Sequence, residues 1–264
     1  MNINHIKLIS MQLMAALFLS VSCGQKSGHI EFQTFHWEDF EKHPQGVAEN
    51  DGFSYKIDFQ YPSQYSDKAV LERLQTLFVR YTLGDEFALS MGGANGVTLE
   101  RAVDDYIALY KKAYYSYIDE MQGYNSDPNF ITGWHVECSN AILFENETLL
   151  QLQTKDGLYP TAAQVWESAS HHLFNLLTGD EYRWDDLFKP GAAEEIRRQH
   201  IPELSEYTKI DFALTDQGVY FVYDNDYDEF TDFMPQSATV TLLYRQILPY
   251  LREGTPVWEV ASGR

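Results

Sequence analysis

Ser170-His-His-Leu-Phe-Asn-Leu-Leu-Thr-Gly-Asp-Glu-Tyr-Arg-Trp-Asp-Asp-Leu-Phe188 is the stretch whose reading decides the fold. It predicts a strand, a tight turn at Thr178-Gly179-Asp180, a short return strand, and the capped start of a helix at Asp185-Asp186. Gly179 can take the positive φ that such a turn commonly needs. Aspartates at a helix start offer acceptors to the N–H groups that the first turn leaves unbonded. A strand that folds straight back belongs to an antiparallel meander.

The neighbouring segments extend the meander. Ile131 to Phe144, Thr148 to Thr154 and Val165 to Leu176 read as consecutive antiparallel strands, with turns at Asn146-Glu147 and Asp156-Gly157. In the last of these, Trp166, Ser168, Ser170, His172, Phe174 and Leu176 share one face, and Val165, Glu167, Ala169, His171, Leu173 and Asn175 share the other. Downstream, a helix runs from Ala192 to His200, and Phe212–Leu214 and Val219–Tyr223 pair across Asp216-Gln217-Gly218. Ala238 to Leu243 is the last strand, and Tyr244 to Leu251 a short terminal helix.

Toward the N terminus, Ile30 to Phe35 alternates weakly as a first strand, His36 to Asp51 reads as a loop, and Phe53 to Tyr61 alternates without a break. Two helices follow. The first is capped by Ser66, carries the stripe Val70, Leu71, Leu74, Leu77, Phe78 and Tyr81, and stops at Gly84. After a loop from Asp85 to Gly96, Thr98 caps the second helix. Its inner stripe is Ala102, Tyr106, Leu109 and Ala113, flanked by Val103, Ile107, Tyr110 and Tyr114. Long helices early and a meander later give an α+β fold with antiparallel sheets, two long helices in the N-terminal half and shorter ones in the C-terminal half.

Met1 to Ser22 reads as an export signal, with Lys7 ahead of the apolar run Leu8 to Val21. The junction Leu19-Ser20-Val21-Ser22-Cys23 is similar to a bacterial lipobox, which implies cleavage before Cys23 and lipidation of its thiol. Gly24 to Gly28 continues as a small, polar tether. The expected organisation is a signal over 1–22, a tether over 23–28, an α+β domain over 29–158 and a β-rich domain over 159–264. Gly24 is not the Asp of an inner-membrane retention signal and no acidic export tag follows Cys23, so the expected location is the outer membrane, facing the periplasm.

A formal charge of −20 excludes DNA and RNA, whose phosphates need a basic stripe, and suits a basic partner. Eighteen Tyr and sixteen Phe favour broad β surfaces. The run Tyr106, Tyr110, Tyr114, Tyr115 and Tyr117 has the spacing of a helix face packed on a core rather than of a stacking platform.

Catalytic and metal signatures fail one by one. Cys138 alternates as a buried strand residue, and His135 falls on the opposite face, so no base serves the thiol. His171 and His172 also point to opposite faces and cannot share one ion. Asp224, Asp226, Asp228 and Asp232 resemble the start of a calcium loop, but Glu229 and Pro235 occupy its Gly and closing Glu positions. Gly92-Gly93-Ala94-Asn95-Gly96 lacks a Lys and reads as a plain turn. No nucleophile elbow, phosphate loop or dinucleotide fingerprint is present. No enzymatic role and no cofactor are expected.

Phe174-Asn-Leu-Leu-Thr-Gly-Asp-Glu-Tyr-Arg-Trp-Asp-Asp-Leu-Phe-Lys-Pro-Gly191 resembles a bacterial envelope domain family of unknown function, whose members often read Phe-Asp-x-x-Thr-Gly-Lys-x-x-x-Leu-x-Asp-Leu-Phe. Phe212-Ala-Leu-Thr-Asp-Gln-Gly-Val-Tyr-Phe-Val-Tyr223 is similar to that family's Phe-x-Leu-x-x-x-Gly-Leu-x-Phe-x-Phe. The resemblance covers roughly residues 159–251, and residues 29–158 resemble the domain that usually precedes it. Relatives include the lysozyme-sensing domain of an anti-sigma factor and the non-catalytic region of a peptidoglycan deacetylase. One departure is clear: Tyr159-Pro-Thr-Ala-Ala-Gln164 replaces the family's Gly-Gly-Ala-His loop, so that His has no counterpart here. The resemblance implies a non-enzymatic, lipid-anchored envelope binding protein. Its ligand would be a basic protein such as a lysozyme-like hydrolase, met by the acidic hairpin Asp224, Asp226, Asp228, Glu229 and Asp232. The alternatives are a cell-wall glycan accessory using exposed Tyr and Trp, and a hydrolase acting on polysaccharide.

Overall fold

The computed structural model describes residues 29–46, 48–88, 98–124, 132–160, 166–202, 204, 207, 209–224 and 238–263. Cys23, residues 89–97 with the Gly-rich turn, Asp226, Asp228, Glu229 and Asp232 lie outside the described residues.

A six-stranded sheet forms the centre. Its strands lie in sequence order: β1 (Glu31–Lys42), β2 (Gly52–Gln64), β3 (Trp134–Glu145), β4 (Leu149–Pro160), β5 (Trp166–Asn175) and β6 (Glu181–Tyr182). β1 runs seven residues past Phe35, into the segment predicted as loop, because its partner β2 is long enough to pair it to Lys42. β4 runs through Asp156-Gly157, so that pair is mid-strand and not a turn. The Asn146 turn is as predicted: its side-chain oxygen accepts from the N–H groups of Thr148 and Leu149, both at 2.8 Å.

The sheets are antiparallel as expected except at one strand pair. β2 and β3 are parallel, in register from Phe53–Trp134 to Asp58–Ser139. Between them lie α1 (Lys68–Leu83), a short α2 (Asp85–Ala88) inside the predicted loop, and α3 (Leu99–Tyr124). Such a long excursion is what a parallel return requires. The α1 cap is Asp67, not Ser66: its carboxylate accepts from Ala69 and Val70. Gly84 ends α1 with a φ of 123°. In α3 the buried seam is Ala102, Val103, Tyr106, Tyr114 and Ile118, while Leu109 and Ala113 face outward. The seam advances by steps of four, along one ridge of the helix, so the predicted step to Leu109 leaves it.

A second sheet, β7 (Lys209–Leu214), β8 (Gly218–Asp224) and β9 (Ala238–Leu243), is antiparallel throughout. Around it lie α4 (Trp184–Leu187), α5 (Ala192–His200), α6 (Tyr244–Ile247) with a 3-10 turn at Leu248–Tyr250, and α7 (Pro256–Ser262). Gly179 takes φ 72°, as its turn demands. The helix after it begins at Trp184, not Asp185, and the Asp186 carboxylate accepts from the Arg183 N–H at 2.8 Å. α7 was legible but unread: Thr255 caps it, Pro256 opens it and Gly263 closes it.

The alternation of β5 organises both cores. Phe174 joins the first core with α1, α3 and the inner faces of β2–β4. Leu173 joins the second, with Leu149, Phe188, Phe221, Tyr223 and Val257. The residue-158 division falls inside β4, and the cores are separated by sheet face instead. Two side chains fasten the layers together. The Asp211 carboxylate of β7 accepts from the His171 N–H at 3.0 Å and sits 2.8 Å from His171 Nδ1. The fully buried Gln151 accepts from the Leu214 N–H at 3.1 Å.

Candidate functional site

On β3, Val136 and Cys138 point into the first core, so His135, Glu137 and Ser139 point the other way. Among the described residues, the second sheet and its helices meet that face at Leu149, Gln151, His171 and Leu173. Over the rest of the face, strand register sets polar and aromatic side chains in rows. One row is Phe40–Ser54–His135–Tyr159, across β1 to β4. The next is Glu38–Lys56–Glu137–Gly157–Glu167, reaching β5. A third is His36–Asp58–Ser139–Lys155–Ala169. Among the described residues nothing packs over these rows, and Phe40 is 44 % exposed.

Two adjoining depressions follow the rows. One, of about 310 Å³, lies between Phe40, Asn50, Ser54, His135 and Tyr159. The other, of about 360 Å³, lies between Glu137, Lys155, Gly157, Tyr159 and Glu167. Tyr159 is common to both. Its ring is folded back along its own strand over Gly157, where a Cβ would stand 2.8 Å from ring atoms. Glycine inside a strand marks a close approach of this kind. The Tyr159 hydroxyl is hydrogen-bonded to Glu167, and that bond, partial burial and the charges of Glu167, Glu137 and Asp156 push its pKa up to about 12.

Ser54, His135 and Glu137 form a hydrogen-bonded chain, with Ser54 Oγ 2.9 Å from His135 Nδ1 and His135 Nε2 3.0 Å from Glu137 Oε1. The residue types are those of nucleophilic catalysis, but the setting differs. Ser54 stands in a strand paired on both sides, where backbone N–H groups are committed to the ladder and cannot converge on an oxyanion. What the chain does is hold the imidazole upright beside the Tyr159 ring, with centroids 5.9 Å apart.

The residues singled out in the sequence are dispersed. His171 and His172 face opposite layers, as predicted: His171 meets Asp211, and His172 stacks on Tyr81 at 3.7 Å and meets Glu181 at 2.8 Å. Burial pushes the Cys138 thiol up to about 12 even though a hydrogen bond with Tyr106 pulls it down, and its Sγ lies 2.8 Å from the Thr82 carbonyl. Of the acidic hairpin only Asp224 is described, in register with Lys209 at the end of β8. Tyr106 and Tyr114 are buried, and Tyr110, Tyr115 and Tyr117 pack against the core, so the Tyr-rich helix is no platform. Among the described residues no group of three or more His, Cys, Asp or Glu could hold a metal ion. The rows on the sheet were not read from sequence. Their signal was Gly157 two residues before an aromatic, inside a segment too long to end at a turn.

No family model matches the chain, and no curated protein matches it. Solved structures do. A DUF3298-family protein from Bacteroides fragilis superposes with a TM-score of 0.69 at 16 % identity, over 89 % of this chain and 99 % of that one. A DUF3298-family protein from Pseudomonas aeruginosa gives a TM-score of 0.49 at 13 % identity, over 84 % and 95 % of the two chains. The B. fragilis structure shows that this chain, over 89 % of its length, has the fold of a bacterial domain of unknown function.

Proposed function

We propose that this chain is a lipid-anchored, non-catalytic envelope protein that binds cell-wall glycan on the open face of its central sheet. The observation that carries the reading is Tyr159 lying over Gly157 between the two depressions, with side-chain hydrogen-bonding groups in adjoining rows. Sugars are bound by such surfaces because their C–H faces stack on aromatic rings while their hydroxyls meet fixed polar groups. The lipobox-like junction at Cys23 supports the anchor, and the tether after it would let the domain reach the wall.

Capture of a basic protein is the second reading. The charge of −20 and the acidic segment Asp224, Asp226, Asp228, Glu229 and Asp232 favour it, as does the resemblance to a lysozyme-sensing domain.

Calorimetric titration of the soluble form lacking the first 23 residues separates the two. Soluble peptidoglycan fragments should bind the native chain and fail to bind Gly157→Val, whose side chain expels the Tyr159 ring while suiting a strand. A variant of unchanged circular dichroism that binds fragments as well as the native chain would refute the site. Salt-sensitive binding of a basic lysozyme, with no fragment binding, would put the second reading in front.

A further inference from the structure

The open face carries more negative charge than a neutral sugar needs. Gly157 is flanked in its row by Glu137 on β3 and Glu167 on β5. The Tyr159 ring lies over that glycine, so it is bracketed by carboxylates from the strands on both sides. Neighbouring strands are about 4.8 Å apart, so the two residues stand about 10 Å from each other, with the ring between them. Glu49 lines the adjoining depression. Asp156 stands opposite Cys138 on the other face of β4, where its carboxylate accepts from the Ser168 hydroxyl, and adds only its longer-range charge to this face.

Two features show that this charge is not simply consumed by the protein. Neither Glu137 nor Glu167 meets a Lys or Arg among the described ion pairs: Glu137 is held by His135, at 45 % side-chain exposure, and Glu167 by the Tyr159 hydroxyl. The Tyr159 hydroxyl is held protonated in part by the charges of Glu167, Glu137 and Asp156 acting together, so the ring sits in a negative field. Among the described residues Lys155, in the next row, is the cation lining the second depression, and Lys56 stands beside Glu137 in register, with its ammonium 3.8 Å from Asp58.

An aromatic face bracketed by carboxylates is the arrangement that favours an ammonium group, through attraction to the ring and charge-assisted hydrogen bonds at its sides. We infer that the sugar taken by this face is a cationic one: a glycan whose 2-amino groups are free, not N-acetylated. This inference rests on the glycan reading above. In it, Tyr159 supplies the stacking surface, Glu137 and Glu167 receive the ammonium, and Ser54 fixes His135 so that Glu137 stays turned toward the depression.

The test compares oligomers of glucosamine with oligomers of N-acetylglucosamine of equal length, titrated into the soluble chain at low and at physiological salt. The free-amine oligomer should bind about tenfold more tightly, equivalent to about 1.4 kcal/mol. The double variant Glu137→Gln, Glu167→Gln should remove that preference and leave binding of the acetylated oligomer unchanged. Glu120→Gln with Glu259→Gln, which removes the same charge from exposed positions elsewhere, should keep the preference. Equal or tighter binding of the acetylated oligomer would overturn the inference while leaving the glycan reading intact. So would a preference that falls equally in both double variants, the mark of bulk charge alone. Binding of neither oligomer would overturn both.

Discussion

Replacing Asp211 with alanine should loosen the joint between the two sheets. β5 is paired by β6 only at Leu173 and Phe174, so its outer edge is open at His171. The Asp211 carboxylate fills that gap, accepting the His171 N–H at 3.0 Å and holding the ring Nδ1 at 2.8 Å. Gln153 holds the other ring nitrogen at 2.9 Å. The His171 side chain is 3 % exposed and that of Asp211 16 %, so water is a poor substitute. Each buried group left without a partner costs about 1–3 kcal/mol, and three lose theirs, the Phe212 N–H along with the two groups of His171; relief of the desolvated carboxylate offsets part of this. The expected loss is therefore about 2–4 kcal/mol, a large share of the roughly 5–15 kcal/mol that holds a typical domain together. Asp211→Asn keeps an oxygen in place and should cost about 1 kcal/mol. Urea unfolding followed by tryptophan fluorescence measures both. With a slope of about 3 kcal/mol/M, the alanine variant should unfold about 1 M earlier. An alanine variant within about 0.5 kcal/mol of the native chain, the range of ordinary surface changes, would refute the claim that this carboxylate is the fastening.

Two more outcomes follow from the first core. Cys138, with its thiol pushed up to about 12 by burial, should react with a thiol reagent at pH 8 only as fast as the chain unfolds, in the form lacking Cys23; prompt labelling of the native protein would contradict its placement. Partial burial pushes the Glu181 carboxyl up, but hydrogen bonds from His172 and from Tyr81, at 2.6 Å, together with Arg183, bring it below its usual value. A lowered carboxyl contributes stability that is present at neutral pH and is lost as pH falls through its folded value, below the usual carboxylate range. Tyr81→Phe should cost about 1 kcal/mol at pH 7, and the gap to the native chain should close on acidification; a gap constant with pH would refute the linkage.

Legibility followed the range of the interaction. The Gly179 turn, the Asn146 turn and the capped helix from Thr98 were readable because each is settled within four residues. The opposed faces of His171 and His172 were readable because strand alternation is geometric. Parallel pairing of β2 with β3 was not, since neither strand's pattern records the direction of a neighbour 80 residues away. The extension of β1 past Phe35 failed for the same reason: its side chains are mostly exposed, and only the length of β2 decides how far it pairs.

By itself the sequence determined the α+β class and the net charge of −20, and it carries no familiar catalytic motif. Tertiary structure alone decided where side chains meet. Phe40, Ser54, His135 and Tyr159 come from four strands spread over 120 residues and form one row only because the register of three separate strand pairs aligns them. Register is a property of pairs of strands, fixed by cores on both sides of the sheet, and no single segment encodes it.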